Sequence, residues 1–317
     1  MKASPFSQIA ISICFITMLF ACKKDKHQPS DDITVTTLVA NLNGPHGIAT
    51  DLQGNIYVTE PPGYRIRKIT PTGTVSNLAG NGRPGNIDGN DTSARFSETY
   101  GIAIDVQGNV FVADQRNDRI RKITPTGSVS TFAQIHRPSG VAIDLSGNVY
   151  VSGQYSHRIY KIGPTGLVST FAGNGTAGFV DGNGTSAQFN GPEGIAIDVQ
   201  GNVFVADEDN ASIRKITPAG VVSTLASIGQ TGIFGWGADG VAVDAEGNVF
   251  VVGGGHQIHK ITSSGAVSII AGTIRGYVDG NGSVAQFTGP AGIAVDAQKN
   301  IYVTDYTLGD IRKISLK

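Results

Sequence analysis

Cysteine is almost absent from this sequence, and the two that occur lie close to its start. Cys14 and Cys22 are the only ones among 317 residues. A chain that begins at Cys22 can form no internal disulfide, so its stability must come from packing. Acidic and basic side chains nearly cancel, with a net charge of −1. This balance argues against a nucleic-acid-binding surface, which requires many basic residues.

Several common signatures of catalysis are also missing. We find no nucleophile elbow, phosphate-binding loop, Cys/His cluster or dinucleotide fingerprint. The apolar residues after the start of the chain show no helical period, and short β-rich runs alternate with Gly-, Pro-, Asn- and Asp-containing turns. The sequence therefore predicts an all-β protein whose function must be inferred from positions outside the standard motifs.

The one long apolar run is at the start of the chain. It covers residues 9–20, too few to span a membrane but typical of a signal peptide, which we place at residues 1–21. The following Cys22 and its basic neighbours resemble a bacterial lipoprotein signal, in which this cysteine is lipidated. Residues 22–32 are polar and indicate a flexible tether. We expect a lipid-anchored protein of the bacterial cell envelope; the alternative is an ordinary cleaved signal and a free, secreted chain.

Most of the remaining chain is an internal repeat. Residues 101–114 recur almost unchanged from residue 194, and looser copies make six in all, starting at Gly47, Gly101, Gly140, Gly194, Gly240 and Gly292. Each copy contains short β-rich runs separated by turns, which predicts four strands. Six four-stranded units indicate a six-bladed β-propeller over residues 33–317.

The two ends of the repeat region predict how the ring closes. The sixth copy stops after its third strand, at residues 311–314, and so lacks a fourth. A matching strand precedes the first copy, at residues 34–38. We expect this N-terminal strand to complete the last blade, because closure removes an exposed sheet edge.

The repeat resembles the NHL-repeat family of propellers. The resemblance rests on Gly101–Asp114, on the Ile-Arg-Lys-Ile run at 120–123 and on the strand at 129–132, and it extends over nearly the whole chain after the leader. It implies the propeller fold. It implies less about function, since this family includes binding and scaffold domains as well as lyases and hydrolases.

Four copies predict an ion pair between an acid and an arginine seven residues later. The acid ends the second strand and the arginine lies in the third, whereas the two copies with glycine at the first position lack the arginine too. We expect bidentate pairs in blades 1, 2, 4 and 6. The pairs are Glu60–Arg67, Asp114–Arg121, Asp207–Arg214 and Asp305–Arg312.

Three long connections between blades share an Asp-Gly-Asn motif and a later phenylalanine. The motif begins at Asp88, Asp181 and Asp279, and the aromatic residues are Phe96, Phe189 and Phe287. We interpret the phenylalanines as plugs between blades. Calcium binding at the aspartates is an alternative, although the spacing of an EF-hand is absent. The uniform short turns are expected on one face, and the connections on the opposite, variable face.

The residue before each first-strand glycine should lie at the rim of the central channel, and it differs in every copy. These positions are His46, Tyr100, Ser139, Glu193, Asp239 and Ala291. His46, Glu193 and Asp239 are candidates for an acid–base set or for one divalent cation: calcium, zinc or magnesium. Residues 239–244 are similar to gluconolactonase-like propellers, which implies a metal role for Asp239 and for Glu193. The alternative is a polar rim without catalysis.

Aromatic residues near the rim predict ligand binding. Tyr100 is a rim residue, and the single tryptophan, Trp236, lies in an unrepeated glycine-rich stretch. Trp236 suits either stacking on a sugar or peptide or filling a gap between blades. We interpret His259, which replaces a repeat arginine, as structural. We expect a monomeric scaffold for a protein, peptide or carbohydrate; the alternatives are a lactonase-like, metal-dependent hydrolase or lyase and a purely structural envelope module.

Overall fold

The repeated Asp-x-x-Gly-Asn segments form tight turns in the computed structural model, which describes residues 32–227, 240–253 and 255–316. In the first turn, the Asp51 carboxylate accepts bonds from the backbone N–H groups of Gln53 and Asn55, and from the Asn55 amide. Such local bonds explain why aspartate and asparagine recur here. The predicted signal peptide and most of the predicted tether, with Cys22, lie outside the described residues.

The strands follow the repeat. The first fourteen are β1 (Ile33–Val39), β2 (Ile48–Thr50), β3 (Ile56–Glu60), β4 (Arg65–Ile69), β5 (Val75–Ala79), β6 (Gly89–Asn90), β7 (Thr99–Ile104), β8 (Val110–Asp114), β9 (Arg119–Ile123), β10 (Ser128–Gln134), β11 (Val141–Ile143), β12 (Val149–Gly153), β13 (Arg158–Ile162) and β14 (Val168–Ala172).

Thirteen further strands complete the described chain. They are β15 (Gly182–Asn183), β16 (Pro192–Ile197), β17 (Val203–Asp207), β18 (Ser212–Ile216), β19 (Val221–Ser227), β20 (Gly240–Val243), β21 (Val249–Val252), β22 (Ile258–Ile261), β23 (Val267–Ala271), β24 (Gly280–Asn281), β25 (Pro290–Val295), β26 (Ile301–Asp305) and β27 (Asp310–Leu316). Short 3-10 helices cover Asp91–Ser93, Gln115–Asn117, Gly184–Ser186 and Glu208–Asn210. Within the described ranges, no helix has the length and apolar character needed to cross a membrane.

The strands form six antiparallel sheets, which confirms the predicted six-bladed propeller. The first strand of each blade contacts the first strand of the next: β2 with β7, β7 with β11, and so on to β25, which returns to β2. These six strands surround a central channel. Apolar clusters fill the spaces between neighbouring blades; Phe96, for example, packs with Ile66 of blade 1 and Val112 of blade 2.

The predicted closure is also confirmed. Strand β1 pairs with β27 along nearly its whole length, from Ile33 opposite Leu316 to Val39 opposite Ile311. The N-terminal strand is thus the fourth strand of the sixth blade, and Val35 is fully buried in its core. The gap between Leu316 and Ile33 lies where the other blades have a turn between their third and fourth strands.

The long connections differ from expectation in one respect. They do not stay on the variable face; part of each runs along the outer edge of the following blade and adds a fifth strand there. These added strands are β6, β15 and β24, which pair with β10, β19 and β1. The predicted plugs are confirmed, since Phe96, Phe189 and Phe287 are fully buried.

The ion pairs also need correction. Arg121 contacts Asp114 at 2.8 Å and Arg214 contacts Asp207 at 2.6 Å, as predicted. Neither pair is bidentate, because the other terminal nitrogen of each guanidinium binds the aspartate of the Asp-Gly-Asn motif. These contacts are Arg121–Asp88 at 2.6 Å and Arg214–Asp181 at 2.7 Å.

Blades 1 and 6 depart further from the prediction. Glu60 and Arg67 are 3.9 Å apart, which is a long contact. In blade 6, Arg312 binds Asp279 rather than Asp305. The Asp305 carboxylate instead accepts bonds from the backbone N–H groups of Thr288 and Gly289. The predicted Asp305–Arg312 pair is therefore wrong.

Candidate functional site

Five of the six predicted rim residues line the central channel. They are His46, Tyr100, Ser139, Glu193 and Ala291; the sixth, Asp239, lies outside the described residues. The channel is narrow, with a volume of about 60 Å³. It has room for water or an ion, whereas a larger ligand has to bind at its mouth.

Close contacts between the first strands hold the rim residues in place. A side chain at Gly47 would collide with the carbonyl of Tyr100, and one at Gly292 would collide with that of His46. Glycine therefore recurs at this position because the backbone of the next blade leaves no room for a Cβ atom. The geometry places each rim residue directly against the neighbouring blade.

Hydroxyl groups from the second strands add a second constraint in three blades. The Thr59 hydroxyl accepts a bond from the Gly47 N–H and donates to the Tyr100 carbonyl, both at 2.8 Å. Ser152 makes the same bridge to the carbonyl of Glu193, and Thr304 bridges to that of His46. The backbone carbonyls of His46, Tyr100 and Glu193 are thus each held by a side-chain hydroxyl group of the preceding blade.

Above the channel lies a second cavity of about 320 Å³. We call the face of the propeller that carries this cavity the rim face. The His46 and Tyr100 rings meet edge to face with their centres 4.8 Å apart, and the Tyr306 ring lies 6.3 Å from that of His46. These three rings, His256 and a proline-containing segment at 288–291 line the cavity. Its walls therefore combine flat aromatic surfaces with a few polar atoms.

Two of the groups that line this cavity, His46 and Tyr100, are neutral near pH 7. Burial lowers the pKa of His46 to about 4, so its imidazole is uncharged. Burial also raises the pKa of the Tyr100 phenol, and the nearby carboxylates of Glu98 and Glu193 raise it further. The mouth thus offers neutral hydrogen-bonding groups on aromatic walls, with Glu193 as the charged group of the described channel lining.

The structure brings some of the predicted site residues together. His46 and Tyr100 are in contact, while Glu193 belongs to blade 4, opposite His46 in the ring. Trp236 and Asp239 lie outside the described residues. Within the described ranges, no three His, Cys, Asp or Glu side chains are grouped in a way that could hold a metal ion. The two described members of the predicted set therefore do not form a metal cage by themselves.

Sequence reasoning missed Tyr306 and His256. Tyr306 is the first residue after the second strand of its blade, and the corresponding residues are Pro61, Gln115, Gln154, Glu208 and Gly254. This position varies almost as strongly as the rim position, with five residue types among the six copies. Comparing the copies there, at the start of the loop between the second and third strands, would have identified the tyrosine.

His259 is consistent with the structural role predicted for it. The side chain is 1% exposed, and neither ring nitrogen has a hydrogen-bond partner in the described part of the chain. Burial lowers its pKa to about 4. The imidazole is thus a neutral core group in a position that arginine occupies in blades 1, 2, 4 and 6.

Known proteins share this architecture. Virginiamycin B lyase from Staphylococcus aureus is 16% identical with a TM-score of 0.61, covering 90% of this chain and 99% of that one. A gluconolactonase from Xanthomonas campestris is 15% identical with a TM-score of 0.64, covering 92% of both chains. A structural genomics protein of unknown function from Bacteroides thetaiotaomicron is 19% identical with a TM-score of 0.71, covering 90% of this chain and 76% of that one. At these identities the likeness concerns the fold.

Sequence comparison adds a more specific relation. "Protein SUPPRESSOR OF QUENCHING 1, chloroplastic" from Arabidopsis thaliana is 41% identical over 83 residues, which are 26% of this chain. The matched part is only 8% of that protein, so this chain corresponds to a small part of its length. Residues 189–216 match the family model of the NHL repeat.

The architecture and the rim together define a six-bladed β-propeller with a ligand-sized cavity at its channel mouth. Residues 189–216 match that family model and the sheets form the expected propeller, so the resemblance to NHL-repeat propellers predicted from the sequence is confirmed.

Proposed function

We propose that this propeller is a binding module of the bacterial cell envelope, anchored through a lipid on Cys22, and that it takes a ring-bearing ligand such as a sugar at the channel mouth. The observation that carries this proposal is the cavity formed by His46, Tyr100 and Tyr306. Tyrosine combines an apolar ring face with a hydroxyl group, which suits it to contact a sugar ring and its hydroxyls together.

The size and charge of the cavity support this assignment. Its volume of about 320 Å³ lies at the lower end of the range for small-molecule sites. The channel below it is too narrow to accept the ligand, so the ligand would rest on the aromatic rings. Since His46 and Tyr100 are uncharged near pH 7, a neutral ligand suits these walls better than an ionic one.

A glycan array followed by calorimetry with the best glycan tests the proposal. Tyr100→Ala should weaken binding by about tenfold or more, since truncating a central aromatic contact has effects of this size. The control is Tyr277→Ala, because Tyr277 is 52% exposed and contacts Arg312 in blade 6, away from the mouth. Equal losses in the two variants, or unchanged binding in Tyr100→Ala, would contradict the proposed site.

The second candidate is a metal-dependent hydrolase or lyase of the lactonase type, acting through His46, Glu193 and Asp239. It is favoured by the placement of a neutral imidazole and a carboxylate on the channel wall. A histidine with a pKa of about 4 is a weak general base, however, which makes the binding role the better supported one. One tightly held divalent ion in the purified protein, lost in Glu193→Ala, would favour the enzyme.

A further inference from the structure

Exposed aliphatic side chains project from the face opposite the rim face. Leu52 is 73% exposed, Val106 61%, Leu145 73% and Val199 61%. All four follow the aspartate of the turn between the first and second strands, in blades 1 to 4. We call the face formed by these turns the turn face.

The aliphatic side chains belong to one surface. Val106 and Leu145 line the same cavity, between the turns of blades 2 and 3. Pro164, at the second hairpin turn of blade 3, also lines it, and the nearby Leu167 is 75% exposed. At the corresponding position, blades 5 and 6 have the smaller exposed residues Ala245 and Ala297. The apolar surface is therefore a crescent over four blades, beside a less apolar sector of two.

The chain enters the propeller from this same face. Ile33 begins β1 opposite Leu316, where the other blades have their second hairpin turn. Ten residues separate Cys22 from Ile33 in the sequence. Even fully extended, a linker of this length reaches only about 35 Å. A lipid on Cys22 would therefore hold the turn face near the membrane and leave the rim face farther away.

Charged side chains on the turn face largely cancel. Six lysines lie over aromatic rings of the second strands, one in each blade; Lys68 over Tyr57 and Lys122 over Phe111 are examples. Six aspartates occupy the turns, one in each blade, and all six accept the backbone bond described for Asp51. Contact with a bilayer would thus depend on the aliphatic groups more than on net charge.

We propose that the turn face rests on the lipid bilayer, with Leu52, Val106, Leu145 and Val199 inserted at its interface, so that the channel mouth faces away from the membrane. This inference rests on the membrane anchoring in the proposed function. Apolar side chains gain free energy by entering the interface, and a nearby tether keeps their local concentration high.

Single-cysteine labelling tests the orientation. The mature chain with Cys22→Ser has no other cysteine, so Leu145→Cys or Val199→Cys can be labelled with an environment-sensitive fluorophore. Tyr155→Cys is the control, because Tyr155 is 53% exposed and lies near Tyr100 on the rim face. A histidine tag at the N-terminus and a nickel-chelating lipid in phosphatidylcholine vesicles supply the tether.

We expect emission from positions 145 and 199 to move to shorter wavelength on tethering and to be quenched by spin-labelled lipid, while position 155 stays unchanged. Equal responses on the two faces, or none at 145 and 199, would overturn the orientation. A shift without vesicles would also overturn it, in favour of self-association. Because the artificial tether replaces the natural one, these outcomes do not depend on lipidation of Cys22, which the mass of the membrane-extracted protein tests separately.

Substitutions on the turn face give a second, untethered test. Replacing all four aliphatic residues with serine should reduce the vesicle-bound fraction by about tenfold. Ala245→Leu with Ala297→Leu should raise it, because the apolar crescent would then extend over all six blades. Neither set involves a buried residue. Unchanged binding in both sets would count against insertion of these side chains.

Discussion

The Thr304 hydroxyl of the sixth blade donates a hydrogen bond of 2.7 Å to the backbone carbonyl of His46, in the first. The same hydroxyl accepts a bond from the Gly292 N–H, also at 2.7 Å. One buried side chain therefore links the last blade to the first at the inner ring, while β1 and β27 join the ends of the chain at the outer edge. The candidate histidine is held at this junction.

Thr304→Val should measure the contribution of this link. Valine keeps the shape of threonine but leaves the Gly292 N–H and the His46 carbonyl without their partner. We expect a loss of about 1–3 kcal/mol in the free energy of unfolding, followed by denaturant titration. The control, Thr126→Val in an exposed turn, should change stability by less than about 0.5 kcal/mol. Equal effects would show that the inner hydroxyl has no special role.

The buried arginines predict a strong asymmetry between single and double variants. Asp114→Ala leaves the fully buried Arg121 with only the half-exposed Asp88 as its acidic partner. We expect a loss of about 3–5 kcal/mol, because removing one partner of a buried ion pair is costly. Replacing Asp114 and Arg121 together with leucine should cost less. A double variant less stable than Asp114→Ala would contradict this account.

Two phenylalanines contact the same arginine but differ in burial. The Phe189 and Phe179 rings lie 5.0 and 4.8 Å from the Arg214 guanidinium, while Phe189 is fully buried and Phe179 is 49% exposed. We expect Phe189→Ala to cost about 3–5 kcal/mol, since it opens a cavity between blades. Phe179→Ala should cost less than about 1 kcal/mol. Thermal unfolding of the two variants separates the plug from the cation–π contact.

Much of this architecture was predictable, because the six copies of the repeat can be compared with one another. The missing fourth strand of the sixth copy and the extra strand at residues 34–38 predicted the pairing of β1 with β27. The rim position was found in the same way, and its described residues do line the channel. Both predictions used differences between equivalent positions, which depend little on the details of packing.

The arginine partners were harder to predict, because each is distant in sequence. Arg121, Arg214 and Arg312 all bind an aspartate 33 residues earlier, on a connection that returns along the outer edge of the blade. The constant spacing was present in the sequence. This spacing indicates an ion pair only when the path of the connection is known. The acid seven residues before each arginine, in the same hairpin, was the nearer candidate partner. That alternative holds in blades 2 and 4 and fails in blade 6.

Removal of the N-terminal strand should show how far the ring depends on closure. Deleting residues 33–39 exposes the edge of β27 and removes the buried Val35 from the sixth blade. We expect a sharply lower melting temperature, because the last blade loses its outer strand and part of its core. Deleting residues 23–31, which precede the first strand, is the matched control. Unchanged melting after the first deletion would refute closure as a source of stability.

The buried histidine of blade 5 should make stability fall in mild acid. The pKa of His259 is about 4 in the fold and 6.5 without burial, so the unfolded chain binds its proton first. The contribution of His259 to the free energy of unfolding is therefore constant above pH 6.5. It falls by about 3 kcal/mol as the pH decreases towards 4. His259→Leu should flatten this part of the stability curve. Since His46 has the same lowered pKa, some slope should remain until it is also replaced.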